Sequence, residues 1–304
     1  MNETLLLCGM ADAYFFPALD NVKYVFKHPK NNYFIKVAKV LAEIRFPFMG
    51  LFFGNWYKEI RRYKKVIFFD LGYCPCIETY LIKKNHSLKC YYYNWNTIDN
   101  NRKVKKIEAF YDKDKVYCTD PGSCEKYEIK FINIFYSKKW VETITKLHCN
   151  KFSKRSVLWL GQNKGRIDWL KVIERPLKDI NCKPDFYVPG EAGEGNPYYI
   201  DRGIPYDEYC QKILEHEVIL DLSQRGQTAL TLRVMEAIFF QKKLITNNAE
   251  VCKFDFYNPN NILVIDPDNI DKLKIVEFIE GSFQPYSDEY MSEFDYENWV
   301  KMFK

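Results

Sequence analysis

Gly226, Gln227, Thr228, Thr231, Arg233 and Glu236 fall within one stretch of eleven residues. Their types suit a phosphorylated ligand: a glycine allows close backbone approach, short polar side chains sit where a helix begins, and a guanidinium and a carboxylate follow. Arg233 and Glu236 are one helical turn apart, so they share neighbouring parts of one face and can serve a ligand or simply pair with each other. Gln227, Thr228 and Thr231 can cap the helix, a role compatible with ligand binding. A second group, Gly161, Asn163, Lys164 and Arg166, lies between an apolar run at 157–160 and a helix expected to begin near Ile167. There, backbone N–H groups and two cations can converge on a diphosphate, the alternative being a turn with surface charges. Neither group has the glycine spacing of a P-loop or of a dinucleotide fingerprint.

Positioning these residues takes an alternating fold. Residues 218–222 form an apolar run of the kind that fills a buried parallel strand, and 223–228 are polar with Gly226 as turn residue. Thr228 is the expected cap of a helix whose Leu230, Val234 and Ile238 repeat at helical spacing, and 243–246 form the next strand. Further strands are expected at 157–160, 184–188 and 262–265, and in the first half at 5–8, 66–69, 88–93 and 116–119. A polar, basic break at 146–155 is the expected linker, 189–204 an exposed loop rich in Gly and Pro, and 287–303 a closing aromatic and acidic helix.

The segment GQTALTLRVMEAIFFQKKLITNN resembles the donor-binding helix of GT-B glycosyltransferases, especially bacterial enzymes that build lipopolysaccharide and capsular polysaccharide. VIFFDLG at 66–72, CYYYNWN at 90–96, VYCTDPGSCEKYEIKF at 116–131 and VLWLGQNKGR at 157–166 are similar to the same group. The resemblance implies an α/β chain of two Rossmann-like domains facing a central cleft. Residues 1–150 would bind the acceptor, 151–286 the nucleotide sugar, and 287–304 would form a helix returning to the N-terminal domain. It implies a transferase of the hexosyltransferase class that moves a sugar from a nucleotide-diphosphate donor to a glycan or lipid-linked glycan, with no cofactor or metal required. Glu236 would bind the ribose, and Lys164 and Arg166 the diphosphate. Retaining members often carry a second Glu eight residues before the ribose Glu. Thr228 stands there, so the stereochemical outcome is left open.

An inverting transfer needs a base to take the acceptor's proton. Asp12 after the first strand is the preferred candidate, followed by Asp70 at the end of VIFFD and His28, although residues of these types at strand ends more often cap, turn or face solvent. Asp112/Asp114 and Asp266/Asp268 imitate the metal-binding pair of the GT-A fold, and the latter follows an apolar run where two carboxylates could hold a divalent cation. A metal-dependent GT-A transferase and a non-catalytic nucleotide-sugar or glycan-binding protein are the alternatives.

The chain of 304 residues suits two domains, and no run of apolar residues is long enough to span a bilayer. The first ten residues lack the basic start of a secretory signal, so a cytoplasmic location is expected, at the inner face of the membrane. The net charge of +5 is uneven: residues 1–150 hold 25 Lys and Arg against 15 Asp and Glu, whereas 151–304 hold 20 against 25. In 36–65, Lys36, Lys39, Arg45, Lys58, Arg61, Arg62, Lys64 and Lys65 are interleaved with Phe46, Phe48, Phe52, Phe53, Trp56 and Tyr57. That mixture suits an anionic membrane surface, or else core aromatics beneath a solvated basic face. No nucleic-acid-binding module accompanies it. Ten cysteines without paired CxxC spacing, beside four histidines, read as free thiols in a reducing compartment.

Overall fold

The computed structural model describes residues 3–9, 19–69, 76–95, 98, 112–147, 152–190, 196–225 and 228–304. The chain divides into two units, Met1–Asn133 with Trp299–Lys304, and Ile134–Asn298. In the first, β1 (Thr4–Cys8), β2 (Val22–Tyr24), β3 (Lys65–Phe69), β4 (Lys89–Asn94), β5 (Val116–Cys118) and β6 (Lys130–Phe131) form one sheet in the order β2-β1-β3-β4-β5-β6. Its helices are α1 (Asn32–Glu43), α2 (Ile77–Lys84) and α3 (Pro121–Tyr127). The second unit begins with α4 (Lys138–Leu147). It builds a sheet from β7 (Ser153–Leu160), β8 (Lys183–Pro189), β9 (Tyr199–Ile200), β10 (His216–Asp221), β11 (Lys243–Thr246) and β12 (Ile262–Val264), ordered β12-β11-β10-β7-β8-β9. Around it lie α5 (Ile167–Asp179), α6 (Tyr206–Glu215), α7 (Leu232–Phe239), α8 (Lys272–Glu280) and α9 (Asp288–Glu293).

Every pairing between these strands is parallel. Parallel strands carry helices on both faces, so their sequences are apolar throughout rather than alternating. The central strands β1, β3, β10 and β11 accordingly bury nearly all their side chains. Each order reverses direction once, between β1 and β3 in the first sheet and between β7 and β10 in the second. At such a reversal the connections leave to opposite faces and open a crevice beyond the strands' carboxyl ends.

Helix ends follow a rule that the sequence did not advertise. α1, α5 and α7 all stop in a left-handed residue other than glycine: Arg45, Asn181 and Gln241, with φ of 58°, 57° and 54°. In each, that residue's N–H and the next one bond back into the last turn, as Arg45 does to Ala42 and Phe46 to Leu41. This is the Schellman arrangement.

Several expectations are corrected. Helix α7 starts at Leu232 with Thr231 as its N-cap, not at Thr228. The stretch 189–204 is not wholly irregular, because β9 pairs with the end of β8. The closing segment is two short helices, α9 and a turn at Tyr296–Trp299, in place of one. The contact boundary falls at 133/134, ahead of the basic break, and α4 belongs with the second unit. Residues 299–304 group with the first unit, where Trp299 Nε1 donates to the Asn133 carbonyl at 3.1 Å and Lys65 Nζ to those of Val300 and Phe303 at 3.0 and 2.6 Å. The described cysteines are all free thiols. Among the described residues no helix is long and apolar enough to cross a membrane.

Candidate functional site

The crevice of the second sheet lies where β7 and β10 end side by side. After Leu160 the chain makes a tight turn in which Lys164 and Gly165 both have positive φ, 42° and 81°, closed by a bond from Arg166 N–H to the Asn163 carbonyl at 2.8 Å. Two successive left-handed residues are the pattern of a type I′ turn, and glycine removes half of its steric cost. Arg166 then stands at the start of α5, which has no side-chain cap. Gly161 is needed for a different reason: a Cβ there would lie 3.0 Å from the Trp159 ring and 3.1 Å from Arg233 Nη2.

Asp221 ends β10 with no solvent exposure, and it organises the other side. Its Oδ1 accepts from Thr231 Oγ1 at 2.8 Å and its Oδ2 from Thr246 Oγ1 at 3.0 Å. Arg233 Nη1 lies 3.5 Å from Oδ1, while Arg233 Nη2 donates to the Leu160 carbonyl. One guanidinium thus spans the ends of β7 and β10. The Thr231 hydroxyl is turned to Asp221 and makes no capping bond to the first turn of α7; the Val234 N–H bonds the Thr231 carbonyl at 3.2 Å, and the N–H groups of Leu232 and Arg233 lead the helix.

The crevice is polar and incompletely paired. Among the described residues, the Nε atoms of Arg166 and Arg233, Asn163 Oδ1 and Ser223 Oγ are buried and have no hydrogen-bond partner. Burial, and then the neighbouring Arg233 charge, pull the Arg166 guanidinium below its ordinary value. Burial opposes the charge of Arg233 too, but Tyr209, Asp221 and Glu236 outweigh it and hold that guanidinium above its usual range. Two cations this close, with unspent donors and the starts of two helices around them, are a binding arrangement for an anion with several oxygens.

Glu236 is placed differently from the ribose contact that the resemblance implies. It is 2% exposed, and its two carboxylate oxygens accept from Tyr206 Oη at 2.8 Å and Tyr209 Oη at 3.0 Å, with Tyr136 Oη 2.6 Å from that of Tyr206. This leaves almost no surface for a ribose hydroxyl. Burial raises its carboxyl above the ordinary glutamate range, against the pull of Arg233 and the two tyrosines.

Of the other expected residues, Lys164 is exposed on the turn, and the Thr228 carbonyl accepts from Asn248 Nδ2 at 3.5 Å. Gly226, Gln227, Asp12 and Asp70 lie outside the described residues; β1 and β3, which precede the two aspartates, are neighbours in the first sheet. His28 is exposed on the turn before α1, edge-on to Phe34 at 4.8 Å. The two Asp pairs are turn residues. Asp268 accepts from Arg225 at 2.7 Å and from Trp169 at 3.1 Å, and Asp266 from the Asp268 N–H at 3.0 Å. Asp112 likewise accepts from the Asp114 N–H at 3.2 Å. Among the described residues no three His, Cys, Asp or Glu side chains group as metal ligands. Asp221 was missed in the sequence, where its one signal is a lone carboxylate closing an apolar strand.

No family model matches the sequence, and no curated protein matches it either. Solved structures do. The chain is similar to a UDP-forming α,α-trehalose-phosphate synthase from Burkholderia xenovorans, with TM-score 0.58, 11% identity, and coverage of 100% of this chain and 98% of that one. It is similar also to the corresponding enzyme from Burkholderia vietnamiensis, with TM-score 0.59, 10% identity, and coverage of 100% and 96%. A Burkholderia xenovorans structure in complex with glucose-6-phosphate gives TM-score 0.56 and 12% identity over 96% of this chain and 82% of that one. At these identities the likeness is one of fold. The fold is GT-B: two parallel six-stranded α/β units.

Proposed function

We propose that this chain is a glycosyltransferase that takes a sugar from a nucleoside-diphosphate donor. The observation that carries the reading is the convergence of Arg166 and Arg233, each with a buried unpartnered Nε, on the crevice between β7 and β10. A diphosphate leaving group gains negative charge as the glycosidic bond breaks, and fixed guanidinium and N–H donors stabilise that charge most in the transition state. Arg166, Arg233, Lys164 and the start of α7 supply those donors, the task a divalent cation performs in other transferases. UDP is the first nucleotide to try, since the structural neighbours are named as UDP-forming.

Asp12 and Asp70 are the residues we assign to take the acceptor's proton, because they follow adjacent strands of the first sheet. The acceptor in this reading is a glycan or lipid-linked glycan of a surface polysaccharide, lipopolysaccharide or capsule, modified at the cytoplasmic face of the membrane. The resemblance of the motifs supports that choice. Glu236, in this reading, helps keep Arg233 charged through its own charge rather than touching the ribose.

The deciding experiment is a thermal-shift series with UDP, GDP, CMP and their sugars, with and without EDTA, followed by detection of free nucleotide when candidate acceptors are added. Stabilisation by one diphosphate series regardless of EDTA, with nucleotide release, is expected. Stabilisation without transfer or hydrolysis would make the chain a binding protein, and a requirement for divalent metal would overturn the arginine assignment.

A further inference from the structure

The basic and aromatic segment of the first unit separates into an inner and an outer set. Phe53 and Trp56 are in the core, with Phe46, Phe52 and Tyr57 packed against it. Tyr33, Val40, Ile44, Phe48 and Leu51 are each more than half exposed. On α1 and its C-cap the residues Tyr33, Val40 and Ile44 fall within about 40° of one line at ~100° per residue. The opposite side buries Ile35, Ala38 and Ala42. This helix therefore has an apolar outer stripe as well as an inner one. Its Schellman end turns Phe46 inward and lets the stripe run on through Phe48 and Leu51.

Beside that stripe lies a pocket of about 400 Å³ whose wall carries Arg45, Arg61, Lys83 and Lys84 with Tyr57 and Tyr80. Arg45 and Pro47 line it while alternating with the exposed Ile44 and Phe48, so pocket and stripe are continuous in the chain. Tyr80 Oη fixes the wall through the Phe46 carbonyl at 3.0 Å, and Lys84 Nζ lies over the Tyr57 ring at 4.1 Å while donating to the Tyr57 carbonyl at 2.8 Å. Residues 27–64 hold nine Lys and Arg against two Glu.

We propose that this face binds an anionic phospholipid bilayer, with a headgroup phosphate in the Arg45, Arg61, Lys83, Lys84 pocket and Tyr33, Val40, Ile44, Phe48 and Leu51 in the interfacial layer. Two observations choose the occupant. Four cations around one pocket complement a phosphate, and cations rimming an exposed apolar stripe are the arrangement that enters a headgroup boundary. Nucleic acid would also satisfy the charge, and Tyr33 and Phe48 are rings, but the exposed aliphatic Val40, Ile44 and Leu51 have no stacking role and suit the hydrocarbon boundary instead. The inference does not depend on the transferase reading.

The test is flotation of the full chain with vesicles of phosphatidylcholine alone or mixed with phosphatidylglycerol. Binding to the mixed vesicles and little to the neutral ones is expected. Arg45→Asn with Lys83→Gln should lower the partition coefficient on the order of 30-fold, from two charges near an anionic surface. Lys83→Arg should retain it. Ile44→Ser with Phe48→Ser should abolish the part that survives high salt. These side chains are exposed or line the pocket, and circular dichroism would confirm that each variant is folded. Equal binding to both vesicle types, or binding untouched by the paired charge variant, overturns the proposal. So does saturable binding of free glycerol phosphate without vesicle binding, which would make the pocket a soluble-phosphate site. Binding of an oligonucleotide in place of vesicles would overturn it too.

Discussion

Arg233 and Asp221 form a half-open ion pair: the carboxylate has no exposure, the guanidinium about a fifth, and their nearest atoms are 3.5 Å apart. The distance is long because Arg233 divides its hydrogen bonds between two strands, and the Leu160 carbonyl holds its other nitrogen. Asp221 thus restrains the cation without neutralising it through a tight fork, and the remaining positive potential faces the crevice.

Asp221→Asn should keep a shape that Thr231 and Thr246 can still bond, yet remove the charge of the carboxylate nearest Arg233 and leave Glu236 alone to offset it. A loss of about 2–3 kcal/mol in urea unfolding is expected. A change within error would show that the carboxylate does not anchor the pair.

Arg166→Gln removes a half-buried cation from the proposed diphosphate site while leaving the turn intact. Titration calorimetry with the preferred nucleoside diphosphate should show affinity reduced roughly 10- to 100-fold, the worth of a charge-assisted contact. Unaltered affinity would remove Arg166 from the site.

Gly161→Ala places a methyl group 3.0 Å from Trp159 and 3.1 Å from Arg233 Nη2. The guanidinium is the easier of the two to displace, so nucleotide affinity should fall more than stability, which overpacking should lower by about 1–3 kcal/mol. A stability loss with affinity preserved would indicate that Trp159 moves instead.

Glu236 has a folded value raised above the ordinary 4.5, first through burial. A carboxyl raised in the folded state binds its proton more tightly there, so its contribution is complete below the unfolded value and is lost as pH rises through the folded one. The stability of the wild type relative to Glu236→Gln should therefore decline as pH rises from about 4.5. A parallel pair of pH profiles would mean that the carboxylate is ionised without penalty.

Lys242 shows the opposite sign. Burial lowers it from 10.5 to about 8, with Nζ bonded to the Leu214 carbonyl at 3.0 Å. The folded state then holds fewer protons between these values, and stability should increase by about 3 kcal/mol from pH 8 to 10.5 relative to Lys242→Met. Chemical denaturation of both proteins at three pH values would reveal a flat difference if the amine stays charged.

The sequence made the central strands legible because buried parallel strands are written as unbroken apolar runs. β2, β6 and β9 were not, since VKY, KF and YI contain no apolar run, whereas the equally short edge strand β12 is ILV. Gly161, Asn163, Lys164 and Arg166 were singled out through local grammar: a strand, a glycine turn, cations and a helix start. Asp221 was not, because its role exists only when β7, α7 and β11 come together around it. Glu236 shows the same limit from the other side. Its spacing from Arg233 was plain, but Tyr206 and Tyr209, which enclose it, come from a helix thirty residues earlier. Thr228 and Thr231 offered equivalent hydroxyls, and the helix begins after Thr231, whose hydroxyl bonds Asp221 instead of the first turn.

The tail at Trp299–Lys304 sets an order of events during synthesis. The second unit is one contiguous segment and can settle as soon as it leaves the ribosome, whereas the first lacks Trp299 and Phe303 against Tyr91, Tyr93 and Tyr117 until the whole second unit has been made. Domains usually complete themselves from the N-terminus onward as they emerge. Here the half made first is finished last, and for that interval its aromatic sheet is the surface a chaperone would meet.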